Sequence, residues 1–598
     1  MNWSVVKSRR SLAGVPRRLN RRLFLTGAPL ILCLGLAAWP HGSEPSVPAP
    51  LSADLILVGG KVLTFDHQER VVEAVAIKGE KILAVGTNAE IRQLGGPNTR
   101  SVDLVGRTVL PGFVDAHSHT TGVSPDYLDL TAARSVEEIV SAVKQKAATT
   151  PAGEWIVGAG PFMFWRGWDD QRLREKRLLT RSDLDPVSPN HPVLLIKEAG
   201  HALVLNSYAL KLANISRETP DPQGQILKDP ETGEPTGILL ESGMNLALKH
   251  LPAPTVEEQL AAARNASDQL LRYGTTTVAN MSVSSEDVRL FQRLYRQTPE
   301  LLVSTVLCPL VPTTQPLATC LDFLQNWPVM SGFGNSDLQV GALKIFVDGG
   351  ITGRAAWFKT PYKGRPDFYG IPQVEKETLF EVVRLADQLG WQLHLHTCGD
   401  AAAELALDAL EAAQRQNQTK GRRHILTHLY VLSPEMMARM RRLGVVAVLQ
   451  PNFVYSLGEH MREALIEEQL EHIIPFRSLL DAGVTVALSA DGLPQNPMYG
   501  IYAAVARKTD QGNILGKAEG VSVMDALRAY TRTSAYALFG EKSWGSLEPG
   551  KMADLIVLDH DILAVPAEQI KDIQVLLTVK KGKVVVERLG QSPPPAAR

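Results

Sequence analysis

A chain of 598 residues with 44% hydrophobic and 21% charged residues has material for a large core without the long uncharged runs of a multi-span membrane protein. Its 62 basic and 63 acidic residues nearly cancel, but seven bases precede the first acid, Glu44, and from Glu44 onward 55 bases face 63 acids. No basic stripe lies outside that first segment, so nucleic acid is not an expected partner. Four cysteines, Cys33, Cys308, Cys320 and Cys398, are spaced too widely for a disulfide framework or a zinc knuckle.

Residues 1–50 read as an export signal and linker, to be set aside before the fold is considered. A basic stretch to Arg22 gives way to an uncharged apolar run from Leu23 to Trp39, then to Pro-rich sequence. Within it, Asn20-Arg21-Arg22-Leu23-Phe24-Leu25 resembles a twin-arginine signal, a route that carries proteins already folded. The expected location is therefore periplasmic or exported, with the twin-arginine export machinery as a partner. The alternative is an uncleaved segment that tethers the chain to the membrane, although 23–39 is marginal in length for a span.

Residues 53–86 predict short strands with hairpin turns. A related pattern closes the chain: Ala553-Asp-Leu-Ile-Val-Leu558 echoes Ala53-Asp-Leu-Ile-Leu-Val58, and Lys581-Gly-Lys-Val584 echoes Gly59-Gly-Lys-Val62. The two pieces, 51–111 and 541–598, are read as halves of one small β-sandwich domain that bracket the rest.

The middle, 112–540, alternates apolar β-branched runs with helical stretches, the pattern of a parallel α/β fold. Strands are predicted at 108–119, 275–281, 301–310, 338–348, 391–398, 422–429, 445–451 and 484–491. Eight such strands favour a (β/α)8 TIM-like barrel with its chemistry at the strand C-termini. Residues 120–274 are too many for a loop and predict a nested insertion domain, with strands at 155–160, 193–197 and 202–206. The insertion ends in a helix opened by Thr255 and Glu258 and stopped at Gly274.

The polar residues fall at the strand ends. His117 and His119 stand at i and i+2, a spacing that points both rings to one side of a strand. His394 and His396 end strand 5, strand 6 carries His424 and ends in His428, and Asp491 ends strand 8. Imidazoles and a carboxylate on one rim form a nitrogen and oxygen site suited to zinc or a similar divalent ion.

These residues carry a resemblance. Arg107-Thr-Val-Leu-Pro-Gly-Phe-Val-Asp-Ala-His-Ser-His119, Gly200-His201, Asn206-Ser-Tyr-Ala-Leu210 and Gly237-Ile-Leu-Leu-Glu241 are similar to the amidohydrolase superfamily, in the family 3 branch that contains N-substituted formamide deformylase. So are Lys344-Ile-Phe-Val-Asp-Gly349, His396-Thr-Cys-Gly-Asp400, Ala490-Asp491 and Gly545-Ser-Leu-Glu-Pro-Gly-Lys-Met-Ala-Asp554. The resemblance implies a metal-dependent barrel beside a divided β-sandwich. It makes His117, His119, His396 and His428 metal ligands, Lys344 a carbamylated bridge and Asp491 the general base. It implies one or two divalent ions, zinc first among them, and adds His428 to the catalytic residues. The branch commonly carries Glu before the strand-6 histidine, where this chain has Thr427, which leaves the support of His428 open.

Other candidates have two readings each. His394 and His424 are either core residues or props behind the ligands, and Cys398 is a small buried thiol rather than a nucleophile. The aromatic run Phe162-Met-Phe164-Trp165-Arg-Gly-Trp168 either lines a substrate pocket, with Trp165 touching substrate, or packs the insertion. His201 is a candidate substrate contact. Arg354 either binds a substrate carbonyl or carboxylate or is a solvated loop residue. The expected activity is hydrolysis of a C–N bond in an amide, N-acyl, N-formyl or cyclic amide substrate by metal-activated water. The alternatives are ester or other carbonyl hydrolysis on the same site, and a ligand-binding relative without turnover. The expected partners are a small amide-type molecule and, as a candidate, further copies of the chain.

Overall fold

The N-terminal strands β1 (Leu55–Val58), β2 (Lys61–Leu63), β3 (Val71–Val72), β4 (Ala74–Lys78), β5 (Lys81–Gly86) and β6 (Arg100–Asp103) come from the run of alternating apolar residues, and β7 (Thr108–Pro111) and β8 (Phe113–Ser118) follow. In this computed structural model the described residues are 52–120, 127–159, 167–221, 226–297 and 302–589. The export segment 1–50 and residues 162–165 lie outside them. Strands β4 and β5 form a hairpin that turns at Gly79, whose φ of +55° suits a residue without Cβ. Strand β1 lies between β4 and β6 in a sheet of order β5-β4-β1-β6.

The expected single strand over 108–119 is two strands. Strand β7 pairs antiparallel with β22 (Leu555–Leu558), Leu110 opposite Ile556, whereas β8 pairs with β14 (Thr275–Val283) in another sheet. The change of sheet occurs at Gly112, where a Cβ would collide with the Thr276 side chain. With β23 (Val575–Lys580) and β24 (Lys583–Glu587), β22 completes a sheet of order β24-β23-β22-β7-β2-β3 that holds strands from both chain ends. Leu57, Val75, Val109, Leu555, Leu577 and Val579 are buried together there.

Between β8 and β14 the insertion forms its own sheet. Strands β9 (Ile156–Gly158), β10 (Val193–Ile196) and β11 (Ala202–Leu205) stand at the expected places, while β12 (Ile226–Lys228) and β13 (Pro235–Leu240) were not foreseen. Pro235 and the polar residues around it hide the alternation that marks a strand. The following helix, Val256–Arg272, is capped as expected: Thr255 Oγ1 accepts from Glu258 N–H at 3.2 Å, and Glu258 Oε2 accepts from Thr255 N–H at 2.7 Å.

The remaining strands are β15 (Ser304–Pro309), β16 (Leu338–Val340), β17 (Leu343–Phe346), β18 (Leu393–Thr397), β19 (Ile425–His428), β20 (Val446–Leu449) and β21 (Val486–Leu488). All neighbours are parallel, in two sheets of order β16-β15-β14-β8 and β17-β18-β19-β20-β21. The described residues thus hold nine parallel strands in two ladders rather than eight in one. The expected strand over 338–348 divides at Gly341, packed tightly on Val306. The links between the ladders include a parallel bridge of Leu310 with Lys344 and a hydrogen bond from Asp491 N–H to His117 O at 3.2 Å.

Candidate metal centre

Strand β8 is buried along its whole length, and its alternation puts Asp115 and His117 on one side. Asp115 Oδ1 accepts from His117 N–H and Oδ2 from Ala490 N–H, each at 3.1 Å, so this carboxyl clamps the end of β8 to the segment after β21. Burial pushes it up to about 8 against those two hydrogen bonds.

The imidazoles meet at the ends of these strands. His394 Nε2 lies 2.8 Å from His117 Nδ1, which leaves His117 Nε2 directed at Lys344 Nζ, 3.3 Å away, and at Asp491 Oδ1, 3.8 Å away. His119 Nε2 is 3.6 Å from the same Asp491 oxygen. On the other side the His396 and His428 ring centroids are 4.3 Å apart, and Cys398 Sγ lies 3.3 Å from His396 Nε2. Two groups result, His117 with His119 and Asp491, and His396 with Cys398 and His428, each with ligand atoms within 4.8 Å of one another. Lys344, fully buried and joined to no carboxylate by an ion pair among the described residues, borders the first group.

Burial, reinforced by neighbouring positive charge, holds His117, His394, His396 and His428 well below the ordinary imidazole range, and lowers His119 to about 3. These rings are neutral, the form that binds a metal. Burial likewise lowers Lys344 to about 8 and raises Asp491 to about 7, the latter opposed by the Lys344 charge. A buried ammonium facing neutral ligand nitrogens is a poor neighbour for a cation, whereas a carbamate on the same nitrogen would add a bridging carboxylate. The donor set therefore fits one or two divalent ions.

Several residues around the cluster were not singled out by sequence reasoning. Gln450 Oε1 lies 2.8 Å from His428 Nδ1, and its amide nitrogen donates to Ser489 Oγ at 2.7 Å and Thr427 Oγ1 at 3.1 Å. The support left open at Thr427 thus comes from Gln450, with Thr427 as its partner. Asp491 is not the only carboxylate near the cluster. Asp348 Oδ1 is 3.8 Å from His396 Nε2, and its two oxygens accept from the N–H groups of Cys398, Gly399 and Trp357 at 2.8–2.9 Å. Its place inside the Lys344–Gly349 motif was the available signal. His424 stands apart, its Nδ1 accepting from Leu393 N–H at 3.1 Å and its Nε2 3.3 Å from Asp387, and is a core residue.

The substrate candidates divide. His201 Nδ1 lies 3.1 Å from Glu241 Oε2. Burial alone would lower this ring, but the Glu241 carboxylate, helped by Asp491, lifts it above the ordinary value. Arg354 lies in the loop after β17 with φ of +54°, and no hydrogen bond joins it to the cluster among the described residues. Trp165 falls outside the described residues, while Trp168 is buried with Leu173, Leu179 and Leu195 and packs the insertion. In a third group, Asp169, Asp170 and His460, the side chains are already partnered: His460 Nε2 lies 2.9 Å from Asp169 Oδ1 and Lys197 Nζ lies 2.8 Å from Asp170 Oδ1.

Residues 100–586 match the model of a family described as amidohydrolase. The N-substituted formamide deformylase of Arthrobacter pascens is 30% identical over 90% of this chain and 99% of its own length. Protein LONG AFTER FAR-RED 3 of Arabidopsis thaliana is 31% identical over 87% of this chain and 89% of its own. The crystal structure of an uncharacterized metal-dependent hydrolase from Pyrococcus horikoshii OT3 superposes with a TM-score of 0.68 at 27% identity, covering 86% of this chain and 99% of that one.

Proposed function

The chain belongs to the amidohydrolase family, and on that premise we propose that it is a metal-dependent hydrolase of a small amide, N-acyl, N-formyl or cyclic amide substrate. The observation that carries this reading is the convergence of His117, His119, Lys344, His396, His428 and Asp491, from four strands and the segments that follow β8 and β21, on a single cluster. The fold reading that goes with it is an eight-stranded barrel over 112–540, with β16 and β17 as one interrupted strand and the two ladders continuous through Lys344 and His117. The insertion 120–274 then covers its mouth, and 51–111 with 541–598 form the divided sandwich.

His117 and His119 would hold one ion, and where a second is bound His396 and His428 would hold it, with Lys344 as a carbamate contributing a further oxygen ligand. Zinc suits the nitrogen-rich set. A divalent ion held there supplies Lewis acidity and a water acidified to about pKa 7. His394 and Gln450 fix the rings so that each Nε2 faces the cluster, and this selects the tautomer as well as the direction. Asp491, raised toward neutrality by burial, accepts the proton of the attacking water. Residues 1–50 deliver the folded chain across the membrane.

The test is a panel of N-formyl, N-acetyl and cyclic amide compounds offered to the zinc-loaded chain, with release of amine or ring-opened product measured. Turnover of one class is expected. Inactivity across the panel at full metal occupancy would overturn the reading.

A further inference from the structure

The described cysteines, Cys308, Cys320 and Cys398, are all buried, and two of them spend their thiols on backbone carbonyls. Cys308 donates to Val306 O at 3.8 Å and Cys320 to Pro312 O at 3.3 Å. Cys398 Sγ instead lies 3.3 Å from an imidazole nitrogen, Nε2 of His396. The two residues stand at i and i+2, at and just beyond the end of β18, so their side chains leave the strand on the same side. Both polar backbone atoms of Cys398 are fixed. Its N–H donates to Asp348 Oδ1 at 2.9 Å, and its carbonyl accepts from Tyr430 N–H at 2.9 Å. Residue 398 is thus tied to the segment after β17 on one side and to the segment after β19 on the other.

His428, which ends β19, completes the group. The ligand atoms of His396, Cys398 and His428 all lie within 4.8 Å of one another, and all three residues are buried. Gln450 Oε1 lies 2.8 Å from His428 Nδ1, so Nε2 is the nitrogen left to an ion. Zinc at about 2.3 Å from sulfur and about 2.0–2.1 Å from nitrogen holds the two donors about 3.6 Å apart at a tetrahedral angle. The 3.3 Å between Cys398 Sγ and His396 Nε2 is close to that separation. A thiol hydrogen bond fits the same distance only while the lone pair of the nitrogen is unused. With that lone pair given to an ion the thiol has no acceptor there, whereas a thiolate supplies a further ligand.

Resting on the hydrolase reading above, we infer that Cys398 is a thiolate ligand of the ion held by His396 and His428. The thiol proton passes to solvent as the bond from Sγ to the metal forms, and no oxidant or reductant takes part. The second site then has three side-chain ligands of its own, Cys398, His396 and His428, before any carbamate on Lys344 is counted. Its softness sets it apart from the group of His117, His119 and Asp491, because thiolate selects zinc over harder ions such as manganese. The two sites therefore differ in the ions they accept.

The experiment is zinc K-edge X-ray absorption on the zinc-loaded full chain. A sulfur shell at about 2.3 Å is expected beside the nitrogen and oxygen shell at about 2.0–2.1 Å, and Cys398→Ser should remove it. Competition with a graded chelator should show zinc affinity of the variant lower by at least about tenfold, the smallest loss that a mere supporting partner causes, with manganese affinity little changed. A wild-type spectrum fitted by nitrogen and oxygen alone at full zinc occupancy would overturn the inference without recourse to the variant, so a folding defect in Cys398→Ser cannot hide the answer. Amide turnover by that same sample would leave the hydrolase reading intact. A sulfur shell that survives in Cys398→Ser would assign the ligand to another residue and overturn the inference equally. A wild-type chain that binds no zinc and cleaves none of the amide panel would overturn both.

Discussion

Gln450 Oε1 stands 2.8 Å from His428 Nδ1, one residue beyond β20 and across from the end of β19, and it decides which nitrogen of His428 faces the cluster. Such partners orient a ligand ring and typically account for 10–100-fold in metal affinity. Gln450→Leu should therefore lower zinc affinity by about that factor while His117 and His119 keep their share. Competition with a graded chelator, followed by elemental analysis, reads the loss; unchanged affinity would mean that His428 needs no such support.

Asp491 and His117 should separate chemistry from coordination. Asp491→Asn keeps the shape without the proton acceptor, so kcat should fall about 10²–10⁴ with most metal retained. His117→Ala removes a ligand and should lose metal and activity together. Near-normal turnover in a metal-loaded Asn variant would move the base elsewhere, His396 and His428 being next in line.

Lys344 should require carbon dioxide. Chain stripped of metal and kept in CO2-depleted buffer should regain full zinc content only when bicarbonate is added with the zinc, because carbamate formation converts a buried cation next to His117 into a carboxylate ligand. Lys344→Met should bind less zinc and be indifferent to bicarbonate. Equal reconstitution of the wild-type chain with and without bicarbonate would argue for a free lysine.

The export reading predicts that Arg21-Arg22→Lys-Lys leaves the chain in the cytoplasm, since paired arginines are the feature read by the folded-protein route. Cell fractionation with an activity assay measures it. Periplasmic delivery of the double variant at the wild-type level would show that the segment works otherwise.

Much of the molecule is local enough to be read from the chain. The strand alternation that puts His117 with Asp115, the capping box at Thr255 and Glu258, and the echo between 53–58 and 553–558 are each written within a few residues, because side-chain period and cap geometry have a short range. The echo does not reveal where one strand stops. Gly112 ends β7 because Thr276, far along the chain, leaves no room for a Cβ.

What only the tertiary structure decided are the pairs that sheet register and burial bring together. Gln450 reaches His428 across two strands of one ladder. Asp348 braces the backbone of Cys398 and Gly399 from 50 residues away, and His201 meets Glu241 through antiparallel register. The same holds for charge. A lysine in a sequence is a cation, and only burial beside neutral imidazoles lowers Lys344 and raises Asp491 toward neutral pH. Desolvation belongs to the packed whole and not to any stretch of residues.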